Sequence, residues 1–110
     1  MEHDTQMVKG ILEGCILKII AVHAEMYGYK VVEKLNEIEF GVNETTVYPI
    51  LTRLQNKSLL AIEKRPSPLG PERKYYSLTA AGRTYLTEFQ ETWNQLQRVV
   101  NGIMEVTEND

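Results

Sequence analysis

Apolar side chains recur along the chain at two periods, and the change from one to the other divides it into elements. Val8, Ile11, Leu12, Cys15, Ile16, Ile19 and Ile20 keep the i, i+3, i+4, i+7 spacing of one helix face, with Lys9, Glu13 and Lys18 on the other side. Residues 8–22 are therefore predicted to form an amphipathic helix. A second helix is expected from Tyr27-Gly28-Tyr29 to about Glu39, with Val32, Leu35 and Ile38 turned inward. Gly41 is expected to end it, since glycine closes many helices just past their last turn. The third helix has the clearest start. Asn43 is suited to cap it, and Val42 and Val47 occupy the two positions of a hydrophobic staple. Val47, Ile50, Leu51 and Leu54 then face inward, and Thr45, Tyr48, Thr52 and Gln55 outward. Pro49 falls inside this helix. It removes one ladder hydrogen bond at a typical cost of about 3 kcal/mol, which predicts a local distortion.

Between residues 59 and 78 the period falls to two. Leu60 and Ile62 alternate with Ala61 and Glu63, and Arg73-Lys74-Tyr75-Tyr76-Ser77-Leu78 follows a stretch, 65–72, that holds three prolines and a glycine. Two short strands around such a loop predict a β-hairpin with a stiffened tip. Thr79 is a suitable cap for a last helix running to about residue 107. On it Leu86, Phe89, Trp93, Leu96, Val100 and Ile103 are spaced 3, 4, 3, 4, 3. This heptad seam calls for a partner helix, and a helix of about 28 residues, roughly 40 Å long, outreaches a three-helix head. A homodimer joined along the seam is the economical expectation. The fold class is thus mainly α with a small β-hairpin: a winged helix-turn-helix over residues 1–78, followed by a long C-terminal dimerisation helix over 79–110.

Composition narrows the function by exclusion. Of 110 residues, 43% are hydrophobic and 25% charged, which suits one folded domain and not a disordered chain. The single cysteine, Cys15, forbids an internal disulfide, and its place in the first apolar stripe makes it a core residue before a nucleophile. The most apolar stretch, Ile11 to Val22, is broken by Glu13 and Lys18 and is shorter than the roughly 20 residues that cross a bilayer. Met1-Glu2-His3-Asp4 lacks the basic start of a signal peptide, so a cytoplasmic location without membrane attachment is expected. The only histidines are His3 and His23, and no ligand spacing or glycine-rich phosphate loop occurs. No enzymatic activity, metal or cofactor is expected.

The net charge of −3 hides an uneven distribution. Residues 53–74 carry Arg53, Lys57, Lys64, Arg65, Arg73 and Lys74 against Glu63 and Glu72 alone, whereas the segments on either side are acidic. A basic patch beside a helix-turn-helix is the electrostatic footprint of a duplex-DNA binder; a solvated charged face is the plainer alternative. For DNA the parts fit. Thr45, Thr46 and Tyr48 offer hydroxyls on the amino-terminal half of the third helix, Lys57 lies at its far end, and Arg73 and Lys74 stand on the hairpin, where phosphate or minor-groove contact is available. Against this, Tyr48 can simply cover a helix corner, Arg73 and Lys74 can simply solubilise the hairpin, and Tyr76 is expected to pack beneath it.

These residues together resemble the PadR family of bacterial regulators. The likeness rests on Tyr27-Gly28-Tyr29, on residues 46–54 (Thr-Val-Tyr-Pro-Ile-Leu-Thr-Arg-Leu), and on residues 70–79 (Gly-Pro-Glu-Arg-Lys-Tyr-Tyr-Ser-Leu-Thr) followed by Gly82. It spans roughly residues 7–105, and the single terminal helix is similar to the family's short members. The resemblance implies a dimeric repressor that binds an inverted repeat in double-stranded DNA near its own promoter or a transporter's. It places DNA contacts on Thr45, Thr46, Tyr48, Lys57, Gly70, Arg73 and Lys74, with Tyr29 added, and makes Pro49 a habit of the family. Leu69 stands where the family usually has glycine and Glu72 where it often has arginine, which predicts a stiffer wing that is one charge poorer. Phe89-Gln90-Glu91-Thr92-Trp93 is similar to a segment with which a drug-sensing member stacks planar molecules at its dimer interface. A planar hydrophobic ligand between Phe89 and Trp93 of paired chains, walled by Met7, Gly10, Ile11 and Gly14 of the first helix, is the corresponding expectation; a tryptophan that merely fills the dimer core is the other. The rival of a different class is a winged helix serving as a protein-binding adaptor, which has no need of a basic segment beside its third helix.

Overall fold

The computed structural model describes residues 5–109 and runs α1 (Thr5–Val22), β1 (Met26–Tyr27), α2 (Gly28–Glu37), α3 (Glu44–Asn56), β2 (Leu60–Ser67), β3 (Gly70–Leu78) and α4 (Ala80–Met104). Four helices and a three-stranded antiparallel sheet of order β1-β3-β2 make the winged helix-turn-helix with its long terminal helix.

The core lies where α1, α2 and α3 meet the inner face of the sheet. Leu12, Ile16, Leu17 and Ile20 of α1, Val31 and Leu35 of α2, and Val47, Leu51 and Leu54 of α3 are fully enclosed. Each such side chain contributes about 1.5–3 kcal/mol when withdrawn from water. Leu17 was not in the apolar stripe read from the sequence, and it is buried because α1 is covered from two sides, by α2 and by α4. Cys15 is only half-buried, since it borders a cavity and not the centre of the core.

Several expectations are corrected. Helix α1 begins at Thr5, three residues before the predicted start. Helix α2 ends at Glu37, two residues early, because Glu39 already takes a left-handed φ of 64° and Gly41 lies beyond it in the loop. Ile38 is consequently 58% exposed and not part of the inward face, its place taken by Val31. Helix α4 stops at Met104, short of the expected residue 107. The proline-rich stretch is not a long loop: β2 and β3 run through it and leave only Pro68 and Leu69 as the turn. Pro66, which has no N–H to give a ladder, sits where the register slips between Arg65 and Ser67. The short strand β1, unforeseen, pairs Met26 with Tyr76 and Tyr27 with Tyr75, so β3 is the central strand.

Other local signals hold as read. The Asn43 side chain accepts from the Thr45 amide at 3.1 Å, and the Thr79 hydroxyl accepts from the Gly82 amide at 3.0 Å while donating to the Ser58 carbonyl at 2.7 Å. At Pro49 the expected distortion does not break the helix, and α3 runs through it without interruption. Pro49 and Thr45 are both exposed, so the Thr45 carbonyl left without its ladder donor lies on the solvent side of the helix, where water can satisfy it.

Candidate nucleic-acid interface

Helix α3 buries Val47, Ile50, Leu51 and Leu54, which by helical spacing turns Thr45, Pro49, Thr52 and Asn56 directly away from the core. Tyr48 and Gln55 lie on the flank toward the hairpin, and all six are exposed. This is an outward helical face of small and polar side chains, of the size and chemistry that a major groove admits.

Between that flank and the wing lies an open cleft of about 640 Å³. Tyr29, Tyr48 and Thr52 form one side and Glu72, Arg73 and Lys74 the other, with Tyr27, Gly28 and Tyr76 at the floor. Burial, with a lesser push from Glu44, raises the Tyr48 phenol above its ordinary value. Its hydroxyl therefore stays protonated and able to donate to a phosphate oxygen. Tyr76 is buried beneath the wing, as expected, and burial raises its phenol likewise.

The hairpin separates its cations onto two faces. On one face Arg73 lies over the Tyr27 ring at 4.6 Å, Tyr27 meets Tyr75 at 5.7 Å, and Arg65 lies over Tyr75 at 4.4 Å. Arg65 is further held by both carboxylate oxygens of Glu25 at 2.7 Å and by Glu63 at 2.9 Å, so its charge is committed to the fold. On the face toward α3, Lys64 and Lys74 are direct partners across β2 and β3, and neither has a carboxylate partner among the described residues. Like charges opposed in this way destabilise a strand pair.

The profile of the transcriptional regulator PadR-like family matches residues 16–88. The chain belongs to that family. Among solved structures, a PadR-like transcriptional regulator of Bacillus cereus is 42% identical, with a TM-score of 0.81 over 94% of this chain and 100% of that one. A Streptococcus transcriptional regulator is 40% identical, with a TM-score of 0.81 over 93% of this chain and all of its own. A transcriptional regulator of Mycobacterium tuberculosis is 35% identical over 74% of this chain and 76% of its own. As a PadR-like protein the chain is a DNA-binding transcriptional regulator and not an enzyme, which removes the adaptor reading. Among the described residues no helix is long and apolar enough to cross a membrane.

Within this PadR-like head the expected DNA residues fall into four places. Tyr29, Tyr48, Arg73 and Lys74 line the cleft, whereas Thr45 and Thr46 border a separate groove against α1. Gly70 stands at the exposed turn next to Leu69, which is 99% exposed. Lys57 is elsewhere: its Nζ is 3.5 Å from Glu13 and 6.0 Å from the centre of the Tyr85 ring. Glu13, on α1, also accepts from Arg53 Nε at 2.8 Å and from the Tyr85 hydroxyl at 3.0 Å, and so joins α1, α3 and α4. Burial alone would raise this carboxyl, but the bonds from Arg53 and Tyr85 and the nearby Lys57 and Arg53 charges outweigh it and hold it below its ordinary value. Two features lie outside the sequence expectations: the pairing of Lys64 with Lys74 and the joint at Glu13. The strand register betrays the first; the second, 40 residues from Arg53 and 72 from Tyr85, had no local signal.

A second cavity, of about 380 Å³, opens between α1 and α4. Ile11, Phe89 and Trp93 line it as expected, together with Cys15, Lys18, Phe40, Leu86 and Gln90. Met7, Gly10 and Gly14 do not. Gly14 is occupied by Phe89, whose ring would stand 2.3 Å from a Cβ there, while Gly10 has open space around it. From Gln90 to Asn109 every residue is exposed, and Trp93, Leu96, Val100 and Ile103 form an uncovered apolar stripe on α4.

Proposed function

We propose that this PadR-like regulator is a cytoplasmic homodimer that represses a nearby operon by binding an inverted repeat, and that a planar hydrophobic ligand held at the dimer interface, beside the α1–α4 cavity, releases it. The single observation that carries the reading is the cleft between α3 and the wing, where Tyr29 and Tyr48 stand opposite Arg73 and Lys74 beside an exposed, polar helix face. Helix α3 enters the major groove with Thr45 and Thr52 toward base edges, and the wing holds a flanking phosphate through Lys64 and Lys74, with Arg73 swinging off Tyr27. Pairing follows from the apolar stripe on α4, since four large apolar side chains in heptad spacing are covered by a second copy of the same helix.

Titration against duplexes from the protein's own upstream region tests this. Two chains per site and a log–log salt slope of about −5 to −7 are expected. Leu96→Glu combined with Val100→Glu should sediment as a monomer and lose the specific affinity. A salt-independent affinity, or a monomer in the unaltered protein, would overturn the reading.

A further inference from the structure

A helix lying in the major groove has two flanks, and the cleft beside the wing accounts for only one of them. The groove is about 12 Å wide and a helix with its side chains about 10–12 Å, so each flank of α3 meets a different sugar-phosphate backbone. The flank away from the wing is the i, i+3, i+7 stripe of Thr46, Pro49 and Arg53. It faces α1 across a cavity of about 240 Å³ that Lys9, Thr45 and Ile50 complete.

The lining suits an anion. Lys9 is exposed and has no carboxylate partner among the described residues. Arg53 gives only its Nε to Glu13, which leaves both terminal nitrogens to donate. Among the described residues the Thr46 hydroxyl has no side-chain partner, and none that lines the groove is acidic. Glu13, one turn beyond Lys9, is already engaged by Arg53, Lys57 and Tyr85. We propose that this α1–α3 groove is a second phosphate-binding site, which grips the DNA strand opposite to the one held by the wing, with Lys9 as its chief cation and Thr46 and Arg53 as hydrogen-bond donors. Thr46 is thereby a backbone contact and not a base reader. The proposal rests on the major-groove reading above.

The test uses the full chain with Lys9→Ala, Lys9→Arg and Lys74→Ala, read by the salt slope of binding and by phosphate-ethylation interference on both strands. Lys9→Ala should reduce the slope by about 0.9 per chain, equally on specific and scrambled duplexes, and erase interference on one strand of each half-site. Lys74→Ala should erase it on the other strand of each half-site, and Lys9→Arg should keep the unaltered pattern. If Lys9→Ala matches the unaltered protein while Lys74→Ala does not, the second site is refuted and the DNA reading stands. If the unaltered protein binds no duplex, both fall together.

Discussion

A Cβ on Gly28, at the start of α2, would stand 2.6 Å from Cε1 of Tyr48 on α3. The bare backbone of Gly28 is the seat of the Tyr48 ring, and that seat aims the phenol into the cleft beside the wing. Gly28 carries no unusual φ that would itself demand glycine, so the constraint is one of space alone.

Gly28→Ala should therefore fold but displace Tyr48. A stability loss of about 1–3 kcal/mol, the usual cost of overfilling a packed contact, is expected with a larger fractional loss of operator affinity. Adding Tyr48→Ala should recover most of the stability and none of the affinity, a non-additivity that a double-mutant cycle in urea would register. Additive stability losses would show that the two residues do not press on each other.

Lys64→Glu sets stability against binding. Opposed to Lys74 across the hairpin, a glutamate replaces repulsion with attraction and should stabilise by about 0.2–1 kcal/mol. The same change should weaken DNA binding and flatten its salt dependence. Thermal unfolding and a salt titration on one preparation decide it; a variant that is less stable and binds as before would refute the assignment of the lysine pair.

Glu13→Gln should remove a pH-dependent part of the stability. A carboxyl depressed in the folded state adds stability that is full above its unfolded value and is lost as pH falls through its lower folded value. The unaltered protein should exceed the variant by about 1 kcal/mol near neutrality, a modest figure because the arginine and lysine partners are half-exposed. The gap should close in acid. Urea midpoints from neutral to acid pH give the comparison, and a gap independent of pH would refute it.

Planar cationic dyes should quench Trp93 emission saturably, near one dye per dimer, and release operator DNA in parallel. Phe89→Ala should weaken the quenching by opening one wall of the cavity. Absence of quenching, with a Trp93→Leu variant that stays folded and binds DNA, would reduce the tryptophan to packing.

Local signals carried most of the fold. Asn43 and Thr79 cap their helices because capping depends on a few consecutive residues, and the periods of α1, α3 and α4 are long enough to define a face. What escaped was tertiary. Strand β1 has two residues, too few for any period, and exists because β3 offers it an edge. Prolines interrupt a ladder and so predict a loop, yet beyond β1 the hairpin is two-stranded and has free edges on which they do no harm. Of the site, Tyr48 and the wing cations were legible from residue type and position, whereas the joint at Glu13 and the Lys9 groove arise only when α1 is laid against α3.

The residues lining the α1–α4 cavity and those lining the cleft beside the wing form two sets with no member in common. Substitutions that reshape the first leave the walls of the second untouched, and the reverse holds equally. Under the proposed function, a chain built this way can exchange its ligand while keeping its operator, or move to a new operator while keeping its ligand. Gene duplication followed by drift in either set is then enough to yield a regulator with one inherited specificity and one new one.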